Sequence, residues 1–145
     1  MNNNPPSAPT GTGYIIVNVT TANQAIPLEN ATVYVYEYDL QEENQNRGGL
    51  ITVEQTNMSG TSPIIPLPAP SRSESMAPGG IKPYTTYNLD VIKDGYYNQS
   101  YINVPVFDGI TAIQNVDLIP LSDNSLNRSL RYNDYTFFES ENKKL

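Results

Sequence analysis

Apolar and polar residues alternate along most of this chain with a period of two, the spacing of strands that bury one face. Seven segments show this alternation, and turn residues such as Gly, Pro, Asn and Asp separate them. No stretch shows a convincing 3.6-residue period, so we expect strands throughout. The predicted strands are residues 14–20, 31–38, 50–56, 61–67, 84–93, 99–107 and 110–121.

Residues 84–121 are the most informative stretch, because three predicted strands follow one another there. Only the dipeptides Asp94-Gly95 and Asp108-Gly109 punctuate them. We interpret both dipeptides as hairpin turns, in which glycine supplies a positive φ angle. Seven short strands with turn signals roughly every ten residues predict an all-β fold, a seven-stranded antiparallel β-sandwich.

The same alternation predicts which side chains face the core. Prolines mark the less regular strands, because they donate no hydrogen bond to a neighbouring strand. Residues 61–67 therefore belong at an edge, and Pro105 places residues 99–107 near an edge or a bulge. The predicted inward residues are Ile15, Val17, Val19, Ala31, Val33, Val35, Tyr87, Leu89, Val91, Ile102, Val104, Val106, Ala112, Val116 and Leu118.

Composition divides the chain into one domain and two flanking segments. Residues 1–12 are Asn, Pro, Ser, Thr and Gly with little else, which predicts a flexible arm. Residues 13–121 form the sandwich domain, and residues 122–145 form a polar tail with an aromatic cluster. Residues 68–83 are a long Pro-, Ser- and Gly-rich connection, and loops of this length are usually functional or mobile.

The chain lacks two residue types that carry much of enzyme chemistry, since it has no Cys and no His. Their absence removes disulfides, thiolate metal sites, the commonest zinc ligand and the commonest general base. Neither Asp-Gly turn extends to the spacing of a calcium loop. Three acidic pairs are candidate glycosidase residues: Glu42 and Glu43, Asp90 and Asp94, Asp108 and Asp117. None lies among cleft-forming aromatic residues, so we predict that the chain is not an enzyme and holds no metal or cofactor.

Charge and hydropathy argue against binding to nucleic acid and against a membrane span. The formal net charge is −7, and the eight Lys and Arg residues form no basic stripe, so we expect no nucleic acid. No apolar run approaches the ~18 residues of a membrane span. The first residues, MNNNPPSAPTGTG, lack the charged and apolar regions of a classical signal peptide. Export without a cleaved signal, release by lysis and retention inside the cell all remain open.

Tyrosine usage is the main positive signal, with eleven Tyr and no Trp. Tyr34, Tyr36 and Tyr38 should line one face of their strand, with Tyr14 on the adjacent strand. Such a row either stabilises the sheet through cross-strand contacts or forms an interface, since Tyr is enriched in binding hot spots. The candidate interface residues are Tyr14, Tyr34, Tyr36, Tyr38, Tyr132, Tyr135, Phe137 and Phe138.

Two parts of the chain resemble known families. Residues 26–35 (IPLENATVYV), with residues 56–60, 87–91 and 94–96, resemble transthyretin-like, carboxypeptidase-regulatory-like domains. Residues 104–121 (VPVFDGITAIQNVDLIPL) resemble the β-domain in the N-terminal pro-region of clostridial spore cortex-lytic enzymes and its stand-alone relatives. The resemblance covers about residues 13–121 and includes no hydrolase domain, so lytic activity is not implied. It implies a transthyretin-like or immunoglobulin-like sandwich, a setting on the surface of a Gram-positive spore-former, and a role in docking or assembly.

Together these observations predict a structural subunit of a spore surface, an appendage or a similar extracellular particle. Its expected partner is itself, as a homo-oligomer or filament, or another surface protein, and the polar termini could dock on a neighbouring subunit. One alternative is a module that binds cell-wall peptidoglycan or glycan, or that assists a lytic enzyme. A further alternative is a decoration protein of a phage virion or tail.

Overall fold

The computed structural model describes residues 11–38, 48–75, 79 and 82–122, and eight strands with one helical turn account for most of them. The helical turn α1 has four residues, and no helix among the described residues is long and apolar enough to span a membrane. The elements are β1 (Gly11–Thr21), β2 (Ile26–Pro27), β3 (Thr32–Glu37), β4 (Leu50–Gln55), β5 (Ile65–Ala69), α1 (Arg72–Ser75), β6 (Tyr84–Ile92), β7 (Gln99–Phe107) and β8 (Thr111–Leu118).

The strands form two sheets that bury their inner faces against each other. In the first sheet β1 is central, with β8 on one side and β5 and β2 on the other. In the second sheet the order is β4-β3-β6-β7, and every pair is antiparallel. The predicted all-β sandwich, rich in antiparallel pairs, is therefore confirmed.

One pair of strands departs from the predicted antiparallel arrangement, because β1 and β8 are parallel over residues Tyr14 to Thr21. The interpretation of Asp108-Gly109 as a hairpin turn is consequently wrong. Strand β7 lies in the second sheet and β8 in the first, so this turn carries the chain from one sheet to the other. Asp94-Gly95 does lie in the turn between the paired strands β6 and β7, where Gly95 has a φ of 86°.

The core consists of the alternating apolar residues of both sheets, and most predicted inward positions are buried. Ile102 is an error, since 57% of it is exposed, and Ala112 is only half-buried. The cause at Ile102 is a register shift between Tyr87 and Leu89, opposite which Asn103 has a φ of 59°. The shift pairs Tyr101 with Leu89, and Tyr101 packs against the core instead.

Two buried hydroxyl groups hold the irregular chain between β4 and β5. The Thr56 hydroxyl donates to the carbonyl of Leu28 (2.6 Å) and accepts from the N–H of Ala31 (2.9 Å). The Ser62 hydroxyl accepts from the N–H of Val17 (3.0 Å). These hydrogen bonds satisfy backbone N–H and carbonyl groups that have no partner in a neighbouring strand. The segment between β4 and β5 can therefore pack against the sandwich.

Because β1 and β8 run parallel side by side, the chain enters and leaves the sandwich at opposite ends. At one end, which we call the Gly11 end, the N–H of Thr12 donates to the carboxylate of Asp108 (3.1 Å). At the other, the Ser122 end, the N–H of Leu121 donates to the carbonyl of Gly95 (2.9 Å). The β1 strand of eleven residues, roughly 36 Å long, spans the distance between them.

Candidate binding surface

The outer face of the second sheet carries a row of tyrosines. Tyr34 and Tyr36 alternate along β3 with the buried Val33 and Val35, so their side chains point away from the core. Their rings stack with centroids 6.4 Å apart and an interplanar angle of 18°. Tyr38 lies one residue beyond the end of β3 and is half-buried.

A second aromatic pair extends this face across the sheet. Tyr84 and Phe107 are cross-strand partners of β6 and β7, with ring centroids 5.5 Å apart. Leu50 pairs with Tyr36 from the edge strand β4 and is 53% exposed. We call Tyr34, Tyr36, Leu50, Tyr84 and Phe107 the aromatic patch.

Sequence reasoning missed three members of this patch, although the signal was present. Tyr87 was assigned inward, and the period of two then places Tyr84 on the opposite face. The same alternation places Phe107 outward, since its neighbour Val106 is in the core. What the sequence could not supply was the order of strands that places these residues in the same sheet as Tyr36.

Beneath the aromatic side chains, the floor of the face is polar. Asn88 and Asp90 alternate along β6 with core residues, yet only 2% of Asn88 is exposed. The hydroxyl of Ser100 donates to Asp90 Oδ1 (2.7 Å), and the N–H of Asn103 donates to Asn88 Oδ1 (3.1 Å). Among the described residues Asn88 Nδ2 has no hydrogen-bond partner. The outer face of the second sheet therefore combines aromatic side chains with buried polar groups.

The character of the face changes along the strands. Tyr84 and Phe107 lie toward the Gly11 end, where the backbone of Phe107 lies against Gly13, whereas Tyr36 pairs with Asn88 in the middle of β6 and Tyr34 pairs with Asp90. Toward the Ser122 end the outer residues near Ile92 are polar: Thr32, Gln55 and Ser100.

The predicted site residues do not all come together. Tyr14 was expected beside Tyr34, but this placement is wrong, because β1 and β3 belong to different sheets. Tyr14 pairs with Thr111 and Pro66 and lies on the outer face of the first sheet. The aromatic residues Tyr132, Tyr135, Phe137 and Phe138 lie outside the described residues. An interface role for all of these side chains stays a prediction.

The described part of the loop at residues 68–83 is held to the sandwich by two polar side chains. The Tyr87 hydroxyl donates to the carbonyl of Pro68, and burial, aided by the nearby carboxylate of Glu37, raises the pKa of Tyr87 to about 12. The Asp108 carboxylate accepts from the N–H of Arg72 (3.1 Å) at the start of α1. In the described part of the chain, no group of three or more His, Cys, Asp or Glu residues is placed to hold a metal ion.

Comparison with known proteins gives structural matches only. No protein-family model and no curated protein sequence matches the chain. Catechol 1,2-dioxygenase from Acinetobacter sp. ADP1 is similar, with a TM-score of 0.50 and 13% identity, covering 84% of this chain and 56% of the dioxygenase. The minor pilin GBS52 of Streptococcus agalactiae matches with a TM-score of 0.46 and 14% identity, covering 77% of this chain and 46% of the pilin. The Bacillus anthracis TIE protein matches with a TM-score of 0.47 and 15% identity, covering 77% of this chain and 17% of that protein.

The match to the Acinetobacter sp. ADP1 dioxygenase, with a TM-score of 0.50, supports the sandwich fold and nothing finer. Sequence identities of 15% or less are too low to infer a functional site in this chain from these proteins. The chain also spans only 17% to 56% of the lengths of the three proteins. The resemblance of residues 104–121 to the pro-region of cortex-lytic enzymes is not among them and stays a prediction.

The dioxygenase structures correct one prediction. The chain was predicted not to be an enzyme, and that exclusion is wrong, because its fold resembles part of catechol 1,2-dioxygenase from Acinetobacter sp. ADP1. The absence of Cys and His therefore does not exclude that this chain shares its fold with enzymes. At 10% to 14% identity and partial coverage, the match assigns no activity to it.

Proposed function

We propose that this chain is a structural subunit that assembles with other copies of itself through the outer face of its second sheet. The observation that carries the proposal is the aromatic patch, which includes the exposed Leu50 and lies on an outer sheet face. Tyrosine and phenylalanine rings supply large, rigid contact areas at low cost in side-chain entropy. Interfaces draw most of their binding energy from a few such residues.

The dimensions of the face fit a substantial part of an interface. Four strands about 4.8 Å apart give a width of roughly 19 Å, and the nine residues of β6 give a length of roughly 30 Å. The flat area is thus roughly 570 Å², against about 800 Å² per partner in a standard interface. The outer face is therefore smaller than one side of a standard interface, and a specific contact would need additional buried area from another part of the chain.

A setting on a spore surface, an appendage or a similar extracellular particle is part of this proposal. It is motivated by the resemblance of residues 104–121 to the pro-region of clostridial spore cortex-lytic enzymes. A subunit of such a layer needs a stable sandwich and a surface for its neighbours, and both features are described above.

Sedimentation of the full chain over a range of concentrations tests the proposal. The double substitution Tyr34→Ser with Tyr36→Ser should weaken self-association at least about tenfold, because each truncated hot-spot residue typically costs ~2 kcal/mol. The matched control is Ile113→Ser, which removes an apolar side chain that is 62% exposed on the first sheet. A wild-type chain that remains monomeric, or a double variant that associates as well as Ile113→Ser, would overturn the proposal.

A further inference from the structure

We propose that two copies of this chain pair edge to edge through β4, the open edge of the second sheet, so that their outer faces join into one. This inference rests on the proposed function, because it names how two copies meet and supplies the area that the assembly face needs. Its basis is a comparison of the sheet edges, the direction of the backbone groups of β4, and the self-complementary pattern of its side chains.

Strand β4 is the sheet edge with the least protection against pairing with another chain. Among the described residues it pairs with β3 alone, and it contains no proline. Prolines or irregular backbone protect three other edges: Pro27 in β2, Pro66 and Pro68 in β5, and Pro105 with the left-handed Asn103 in β7. The edge strand β8 has no proline, but its outward side chains include Asn115 and Asp117, residue types that are unfavourable in strands.

Half of the residues of β4 are apolar and exposed. Leu50, Ile51 and Val53 are 53%, 39% and 43% exposed. An edge strand that combines exposed apolar side chains with unpaired backbone groups is a template for a further strand. Pairing there removes the apolar surface from water and satisfies the backbone groups in one step.

The hydrogen bonds of β3 show which backbone groups of β4 point outward. The N–H of Glu37 donates to the carbonyl of Gly49 (2.9 Å), so the odd-numbered residues of β3 direct their backbone groups at β4. Val33 is one of these residues and pairs with Glu54, whose backbone groups therefore point back at β3. The N–H and carbonyl of the next residue, Val53, consequently point at the open edge.

The side chains of β4 match those of a second, antiparallel copy. When Val53 of one copy lies opposite Val53 of the other, Thr52 of each copy lies opposite Glu54 of the other, and no like charges face each other. The Thr52 hydroxyl donates to Glu54 Oε1 within one copy (3.3 Å), so the two side chains are chemically matched. The neighbouring registers are less favourable, because one places Glu54 opposite Glu54 and the other places the apolar Leu50 opposite Glu54.

Pairing through β4 brings the aromatic patches of the two copies together. Val53 pairs with Tyr34 and Leu50 pairs with Tyr36, so both patches lie beside the new junction. The joined face has eight strands and a flat area of roughly 1,140 Å², against about 800 Å² per partner in a standard interface. A two-fold pair of copies therefore has an outer face large enough for specific binding to a further pair.

Charge substitutions at Val53 test the pairing in the full chain. Val53→Lys and Val53→Glu each place two like charges opposite each other in the pair, whereas an equimolar mixture of the two variants pairs opposite charges. Sedimentation should show self-association weakened at least about tenfold in each variant alone and restored to within about threefold of wild type in the mixture. The matched controls are Ile113→Lys and Ile113→Glu, at a side chain that is 62% exposed on the first sheet. They should neither weaken association nor respond to mixing.

A mixture that associates as weakly as the separate variants would overturn the inference, and so would equal effects at Ile113. Circular dichroism checks that the variants fold, and amide hydrogen exchange in the wild-type chain gives a second measurement that needs no substitution. On association the N–H of Val53 should exchange at least about tenfold more slowly, while the N–H of Glu54 is protected throughout by β3. An unchanged exchange rate at Val53 would also overturn the inference.

The outcomes separate this inference from the proposed function. If mixing restores nothing while Tyr34→Ser with Tyr36→Ser still weakens association, the proposed function stands and only the pairing through β4 fails. If that double variant associates as well as Ile113→Ser, the proposed function fails, whatever the result of mixing.

Discussion

At the scale of single residues, the Asp108 carboxylate joins three separate segments of the chain. One oxygen accepts from the N–H of Thr12 at the start of β1, and the other accepts from the N–H of Arg72 in α1. These two backbone hydrogen bonds, with the positive charge of Arg72, hold the pKa of Asp108 below its ordinary value of 3.8. A lowered pKa in the folded state means that Asp108 stabilises the fold above pH 3.8, and that this contribution is lost as the pH falls through the folded-state pKa.

The substitution Asp108→Asn removes the charge and one of the two acceptor oxygens. We expect a lower melting temperature than wild type at pH 7, and faster hydrogen exchange of the Thr12 or Arg72 amide. The difference in melting temperature should shrink as the pH falls below 3.8 and wild-type Asp108 becomes protonated at its lowered pKa. The control is Asp94→Asn in the other Asp-Gly turn, whose side chain is exposed. A difference at pH 7 that persists unchanged in acid would contradict the role of the charge.

At the scale of elements, two turns use glycine for different reasons. Gly60 has a φ of 75°, and a Cβ built there would lie 2.4 Å from the carbonyl oxygen of Val19, which is backbone and cannot move aside. Gly95 has a φ of 86°, but its Cβ would meet nothing within 4 Å. The first turn therefore needs glycine for space and conformation, and the second for conformation alone.

Alanine substitutions separate these two requirements. Gly95→Ala should cost about 1–2 kcal/mol in the free energy of unfolding, the usual cost of a left-handed alanine. Gly60→Ala should cost at least about 3 kcal/mol, because the steric overlap displaces β1 or the turn beside it. Urea unfolding of both variants measures the difference. Equal costs would show that the packing of Gly60 against Val19 is not as tight as described.

The elements also show which features of the fold could be predicted from the sequence. Period-two alternation located β7 at Gln99–Phe107 and nearly all core residues of β1, β3 and β6, because burial of one sheet face dictates that pattern. It failed at Ile102, where a register shift reverses the inward side, and a local pattern does not reveal a bulge. It also failed for Tyr14, since strand order depends on contacts between residues far apart in the chain.

At the scale of the whole molecule, the parallel pairing of β1 and β8 gives the sandwich a direction. The chain enters the sandwich at the Gly11 end and leaves it at the opposite end, beside Gly95. An interface that joins one end to the other is heterologous, so each added copy presents a new free site.

The measurement that tests the assembly surface most directly is chemical footprinting of tyrosine side chains in the full chain as its concentration is raised. The two faces of the sandwich provide an internal comparison, because Tyr34, Tyr36 and Tyr84 lie on the second sheet and Tyr14 on the first. We predict that reactivity falls at Tyr34, Tyr36 and Tyr84 as larger species form, while Tyr14 keeps its reactivity. Larger species that leave Tyr34 and Tyr36 as reactive as in the monomer would contradict the account, as would an equal loss of reactivity at Tyr14.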